Sequence, residues 1–161
     1  MTRLLYATAA IFILIGTCSF RRPDGKTKAP NFALKTATGR VIELKKLKGK
    51  VVVVNFWATW CGPCRREIPD FKEVYEQYKS KGVEILGVSL DQGGWKDITP
   101  FVVRYAINYP ILLGDAKVAR AYGNVELIPT TFIVDRSGTI FDRHVGLMSK
   151  AALETKLKEL L

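Results

Sequence analysis

Two cysteines with the spacing C-x-x-C are the residues of this sequence best suited to chemistry. Cys61 and Cys64 enclose Gly62 and Pro63, and two thiols this close can exchange two electrons by closing and opening a disulfide. An apolar run at residues 51–57 precedes the pair, and an amphipathic pattern follows it. The sequence therefore predicts a buried strand that leads into a helix at the cysteines.

The start of a helix favours a thiolate at the first cysteine. The first N–H groups of a helix lack backbone partners and carry partial positive charge, which should lower the pKa of Cys61 below the ordinary value of about 8.5. Cys61 is therefore predicted to be the attacking nucleophile. Cys64 falls one turn later on the inward stripe with Ile68 and Phe71, so it is predicted to be the resolving thiol.

Apolar patterns along the chain predict strands that alternate with helices, then a hairpin and a last helix. This order indicates an α/β fold with a mixed central sheet flanked by helices and an added amino-terminal β-hairpin. Thr99 and Pro100 are predicted to open a helix at 101–107, and Ser149 to cap the last helix. The predicted strands are 32–34, 41–44, 51–57, 83–90, 109–113, 130–134 and 139–145, and the other predicted helices span 64–78, 116–122 and 150–161.

The motif Trp60-Cys61-Gly62-Pro63-Cys64 resembles that of the thioredoxin superfamily, to which the AhpC/TSA redoxins are related. The chain from Ala29 to the last helix is also similar to the exported TlpA/ResA branch of thiol-disulfide oxidoreductases. The resemblance implies a thioredoxin-like fold over residues 31–161. It rests on Lys48-Gly49-Lys50, Phe56-Trp57-Ala58-Thr59-Trp60, Arg66-Glu67-Ile68-Pro69 and Ile128-Pro129-Thr130-Thr131-Phe132.

The resemblance also implies a substrate-binding surface around the cysteines. It implies a cis peptide before Pro129 and a loop, with Ile128, that packs against the disulfide and pairs with a bound substrate strand. The alternative is an ordinary trans proline that opens a strand. Gly62 and Pro63 belong to the same surface, and Trp60 either lines a substrate groove or is plain packing.

An acidic residue near the cysteines is a candidate proton relay. Asn55 stands at the strand position where thioredoxins carry a buried aspartate, and an amide cannot take a proton. The role therefore moves to Glu67, which matches an acidic position of ResA-like proteins and comes three residues after Cys64. The alternative for Glu67 is a first-turn carboxylate that complements the helix dipole.

The amino terminus resembles a bacterial export signal. Residues 4–17 form an apolar run that is short for a bilayer span and normal for a secretory signal. The run ends at Cys18, so residues 1–18 resemble a lipoprotein signal whose cysteine receives lipid; an uncleaved anchor or an ordinary cleaved signal is the alternative. Residues 19–30 are predicted to be a polar linker. The domain is thus expected on the outer face of the cytoplasmic membrane or in the periplasm.

Composition limits the classes of partner. The chain has 25 Lys and Arg residues and 15 Asp and Glu residues, but the cations are scattered and form no arm typical of nucleic-acid binding. A basic surface could instead lie against anionic lipid headgroups or steer the protein toward acidic partners. His144 is the only histidine, so no histidine metal cluster is expected, and the expected redox group is the cysteine pair alone, without a cofactor.

The predicted function is reduction of disulfides in exported proteins. The resemblance implies apocytochrome c as a possible substrate and a membrane thiol carrier as the electron donor. A Gly-Pro dipeptide between the cysteines, as in thioredoxin, favours a reductant. The alternatives are a disulfide oxidase or isomerase, and a non-enzymatic chaperone that binds a soft metal such as copper through the two thiols.

Overall fold

Strands and helices alternate along residues 27–161, the part of the chain that the computed structural model describes. Short 3-10 turns at Leu44–Leu47 and Lys79–Lys81 join some of them. The strands are β1 Ala33–Lys35, β2 Val41–Glu43, β3 Val51–Trp57, β4 Val83–Ser89, β5 Ile111–Leu113, β6 Thr130–Val134 and β7 Ile140–Val145. The helices are α1 Gly62–Tyr78, α2 Trp95–Arg104, α3 Ala116–Ala121 and α4 Lys150–Lys158.

The central sheet is mixed and has the strand order β5-β4-β3-β6-β7. Strands β3, β4 and β5 are parallel, whereas β6 is antiparallel to β3 and β7 is antiparallel to β6. Strands β1 and β2 form a separate antiparallel hairpin. The predicted fold class, a thioredoxin-like α/β fold with an amino-terminal hairpin, is confirmed.

Strand β3 lies at the centre of the sheet, and all seven of its residues are buried. Because alternate side chains point to opposite faces, Val53 and Trp57 pack in the core cluster that includes Phe71 of α1 and Leu153 of α4. Phe56 packs in the opposite cluster, with the hairpin and α3. Apolar layers on both faces explain why β3 is an unbroken valine-rich run.

Helix α2 begins earlier than the sequence analysis predicted. It spans Trp95–Arg104, so the predicted helix at 101–107 is wrong in both bounds, and Pro100 lies inside the helix. Gly94, with φ of 60°, precedes the helix, and its carbonyl accepts the N–H of Ile98. Ile98 is fully buried; its burial holds the first turns, although Pro100 cannot donate the usual helical bond.

The described chain begins at the edge of the central sheet. The N–H of Ile140 donates to the carbonyl of Thr27 at 2.8 Å, and the N–H of Ala29 donates to Gly138 at 3.0 Å. The carboxyl-terminal end of the predicted linker thus contacts the domain next to β7. Residues 1–26, with the predicted signal and Cys18, lie outside the described residues. Among residues 27–161, no helix has the length and apolar character needed to cross a bilayer.

Candidate functional site

Cys61 and Cys64 form a disulfide where β3 leads into α1. Cys61 is the N-cap of α1, and its Sγ accepts the backbone N–H of Cys64 at 3.2 Å. Gly62 and Pro63 form the first turn between them. Cys61 keeps 4% of its surface exposed and Cys64 only 1%. The N–H directed at Cys61 stabilises negative charge on this sulfur, as the sequence predicts for the attacking thiol.

The loop before β6 packs against the disulfide. The Ile128–Pro129 peptide bond is cis, which confirms the predicted cis peptide. The carbonyl oxygen of Ile128 lies 3.6 Å from Sγ of Cys61, and the carbonyl of Pro129 accepts the N–H of Gly146 at 2.8 Å. A backbone carbonyl of this loop therefore lies beside the more exposed sulfur, and Gly146 bonds to the loop.

Large apolar side chains are exposed on the chain segments that lead to the redox centre and its neighbouring loops. Trp60 directly precedes Cys61 and is 69% exposed, and Leu127, before the cis-proline loop, is also 69% exposed. Leu147 follows the glycine that bonds to the loop and is 40% exposed. Exposed apolar groups clustered at a reactive sulfur are typical of a docking surface for a polypeptide. Trp60 is not a core residue, so plain packing does not explain it.

Glu67 is buried in a network of hydrogen bonds. It is 2% exposed; its Oε1 accepts Nδ2 of Asn55 at 2.8 Å and its Oε2 accepts the N–H of Met148 at 3.1 Å. Asn55 also donates to Oγ1 of Thr131 at 3.0 Å. Asn55 cannot carry the proton, but it holds the carboxyl group that can. The alternative, a first-turn carboxylate that complements the helix dipole, does not fit, because α1 begins at Gly62 and has no acidic residue in its first turn.

The environment of Glu67 favours its protonated form. Burial raises the pKa of the Glu67 carboxyl to about 7, and the N–H donors of Met148 and Asn55 lower it by less. The negative charge of Asp70 raises it slightly further. Glu67 lies three residues after Cys64, so both side chains are on the same face of α1. A carboxyl group with a pKa near 7 can both accept and return a proton at neutral pH.

A second buried carboxylate, Asp91, fixes the segment before the cysteines. It is 5% exposed and accepts the backbone N–H of Thr59 at 3.0 Å and its hydroxyl at 2.6 Å. The hydroxyl of Ser89 donates to it at 2.7 Å. Sequence reasoning missed Asp91. Its position just after β4 was the available signal, because the carboxyl ends of neighbouring parallel strands meet at one edge of a sheet.

The comparisons with known proteins agree with this geometry. The model of the AhpC/TSA family matches residues 26–143.

The chain belongs to the AhpC/TSA family.

Its relatives include the thiol-disulfide oxidoreductase ResA of Bacillus thuringiensis (strain Al Hakam), 37% identical over 98% of this chain and 96% of that protein. ResA of Bacillus subtilis (strain 168) is 39% identical over 78% of this chain and 69% of that protein. Among solved structures, a putative thiol:disulfide interchange protein DsbE from Chlorobium tepidum is 36% identical, with a TM-score of 0.78 over 84% of this chain and 96% of that chain. This AhpC/TSA family member is a thiol-disulfide oxidoreductase of the ResA/DsbE type.

Other polar residues near the motif have simpler surroundings in this AhpC/TSA family protein. Arg65 and Arg66 are exposed on α1. A ring nitrogen of His144 lies 3.1 Å from the carbonyl oxygen of Leu147. Within residues 27–161, His, Cys, Asp and Glu side chains form no group of three that could hold a metal ion. The chemistry that the arrangement supports is exchange between the cysteine pair and an external disulfide.

Proposed function

We propose that this thiol-disulfide oxidoreductase reduces disulfides of exported proteins at the outer face of the bacterial cytoplasmic membrane. The observation that carries the proposal is the asymmetry of the cysteine pair. Cys61 is the more exposed and has a backbone N–H directed at its sulfur, whereas Cys64 lies behind it and is almost fully buried. A substrate disulfide can reach Cys61 first, and Cys64 is placed to complete the exchange.

The exchange has two steps. The thiolate of Cys61 attacks one sulfur of the substrate disulfide, a mixed disulfide forms, and the other substrate sulfur leaves as a thiolate that takes up a proton. The thiolate of Cys64 then attacks Sγ of Cys61, which closes the protein disulfide and releases the second substrate sulfur. Two electrons and two protons pass to the substrate, and the protein ends with the Cys61–Cys64 disulfide. A membrane dithiol carrier would restore the two thiols.

Glu67 would serve the second step as a proton relay. Cys64 must lose its proton before it attacks, and almost no solvent reaches this residue. The carboxylate of Glu67, buried on the same face of α1, can take that proton and later return it to a leaving thiolate. Its pKa of about 7 allows transfer in both directions at neutral pH.

The described chain begins at the end of the domain that lies opposite the redox centre, and this position supports attachment to a membrane. Thr27 lies beside β7, at the end of the sheet where β3 starts, whereas Cys61 follows the opposite end of β3. Seven residues of strand separate the two ends by about 20 Å. A tether through the apolar segment and Cys18 would therefore leave the redox centre directed away from the lipid surface.

Apocytochrome c is the substrate that the similarity to TlpA/ResA proteins favours, because its cysteines must be reduced before haem is attached. The Gly-Pro dipeptide favours a reductant, with a reduction potential of about −270 mV. The potential is measured by bringing the protein to equilibrium with glutathione. A value of about −120 mV would instead favour a disulfide oxidase.

Trapping in the native host tests the proposed function. Cys64→Ser should accumulate mixed disulfides between Cys61 and exported proteins, since the resolving thiol is missing. Cys61→Ser/Cys64→Ser is the matched control and should trap none. Recovery of no adducts with Cys64→Ser, or adducts that disappear only when Cys18 is replaced, would contradict the mechanism.

A further inference from the structure

A groove of about 460 Å³ lies beside the redox centre, between the loop before Cys61 and helix α2. We name it the α2 groove. Its aromatic lining is Trp60, Phe101 and Tyr105, and the last two rings stack with centroids 4.2 Å apart. Apart from Trp60, none of these residues takes part in the disulfide exchange.

Three cations converge on the α2 groove: Arg65 from α1, and Lys96 and Arg104 from α2. All three are exposed, and within residues 27–161 none of them forms an ion pair. The single acid of the groove, Asp97, has its carboxylate against the backbone of Gly93, in the space that a Cβ there would fill. The groove therefore carries a net positive charge beside the attacking sulfur.

The spacing of the cations suits an extended polypeptide. Lys96 and Arg104 are eight residues apart on α2, so they lie about 12 Å apart along the helix axis and about 80° apart around it, and both line the groove. An extended chain covers that length with about four residues. Arg65 is the residue after Cys64, and its N–H donates to the carbonyl of Cys61 at 3.2 Å.

We propose that the α2 groove is a specificity site that binds an acidic segment next to the disulfide of the substrate. The inference rests on the proposed function and names its substrate class: polypeptides with Asp or Glu within about four residues of the reacting cysteine. Carboxylates of the segment pair with Lys96 and Arg104, while its apolar atoms lie on Trp60. Opposite charges at an exposed groove increase mainly the rate of association, and the increase falls with salt.

Matched peptides test the proposal. Each contains one internal disulfide and a four-residue flank that is rich in Glu, Gln or Lys. The second-order rate constant of reduction is measured for the full chain with both active-site thiols reduced. At low salt, the Glu peptide should react about tenfold faster than the Gln peptide and the Lys peptide more slowly than either, and 0.5 M NaCl should remove most of the difference.

Charge reversal within the groove locates the effect. Lys96→Glu places an acid in the first turn of α2, where the helix dipole tolerates it. It should reduce several-fold the ratio of the rate with the Glu peptide to the rate with the Gln peptide. Lys46→Glu is the matched control, because Lys46 is 77% exposed on the turn before β3, at the far end of the sheet.

The outcomes separate this inference from the proposed function. Equal rates for all three peptides, or the same loss of preference in Lys46→Glu and Lys96→Glu, would overturn the groove as a specificity site while disulfide reduction stands. Failure of the reduced protein to react with any peptide would overturn the proposed function itself. Persistence of the preference in Lys96→Glu/Arg104→Glu would also reject the groove.

Discussion

Replacing Glu67 with glutamine removes a buried ionisable group and should change how the free energy of unfolding depends on pH. Glu67 is 2% exposed, and its two oxygens accept N–H groups of Asn55 and Met148. Glutamine has nearly the same shape. Rotation of the Asn55 amide would present its oxygen to the new Nε2, and the hydroxyl of Thr131 could then donate to that same oxygen, so the variant can keep the network.

The size of this pH effect follows from the pKa of Glu67. Burial raises the pKa of Glu67 from 4.5 to about 7 in the folded protein. The folded state thus holds this proton more tightly than the unfolded state, and stability falls as pH rises from 4.5 to about 7, with no further change above. Each pKa unit corresponds to about 1.4 kcal/mol, so the unmodified protein loses about 3 kcal/mol over that interval through Glu67.

Urea unfolding of the oxidised full chain at several pH values between 4.5 and 8 measures the effect. The free energy of unfolding of the unmodified protein is subtracted from that of Glu67→Gln at each pH, which cancels the contributions of the other titrating groups. Between the lowest and the highest pH, this difference should change by about 3 kcal/mol in favour of Glu67→Gln. Parallel pH curves for the two proteins would refute the reasoning, because they would mean that Glu67 ionises alike in the folded and unfolded states.

Three other substitutions test the network and the fold. Asn55→Asp places a second carboxylate beside Glu67, so the thermal midpoint should fall more at pH 8 than at pH 5; equal losses at both would contradict charge repulsion. Asp91→Asn replaces one carboxylate oxygen by an NH2 donor that faces the N–H of Thr59, because both oxygens of Asp91 accept this N–H, at 3.0 and 3.2 Å. The variant should lose about 1–3 kcal/mol in urea unfolding and reduce peptides more slowly; unchanged values of both would show that Asp91 does not hold the segment before the cysteines. Ser149→Ala removes the cap of α4, in which Oγ accepts the N–H of Ala152 at 3.3 Å, and should cost about 1 kcal/mol without changing the rate of reduction.

The elements that position the cysteines could be predicted because their signals are local. The run at β3 has no polar residue except Asn55, and the motif with Pro63 marks the first turn of α1. The cap of α4 by Ser149 is likewise visible over a few residues and is confirmed. The early start of α2 was missed because the tertiary burial of Ile98 outweighs the proline inside the helix.

The surroundings of Glu67 and Asp91 depend on contacts between distant parts of the chain. Met148 donates to Glu67 from 81 residues away, and Asp91 holds Thr59 across 32 residues. No periodicity in the sequence encodes either pairing. Sequence reasoning could therefore name Glu67 as a candidate relay, but its burial and partners required the folded structure.

The most direct test of the central claim is the product balance of one turnover. The full chain with Cys18→Ser, fully reduced, is mixed with a peptide that contains one internal disulfide, and the thiols and adducts are counted by mass spectrometry. We expect two peptide thiols for each Cys61–Cys64 disulfide formed, and a one-to-one adduct at Cys61 when Cys64 is also replaced by serine. An adduct at Cys64 in the corresponding Cys61→Ser protein, formed at an equal rate, would contradict the assignment of Cys61 as the attacking thiol.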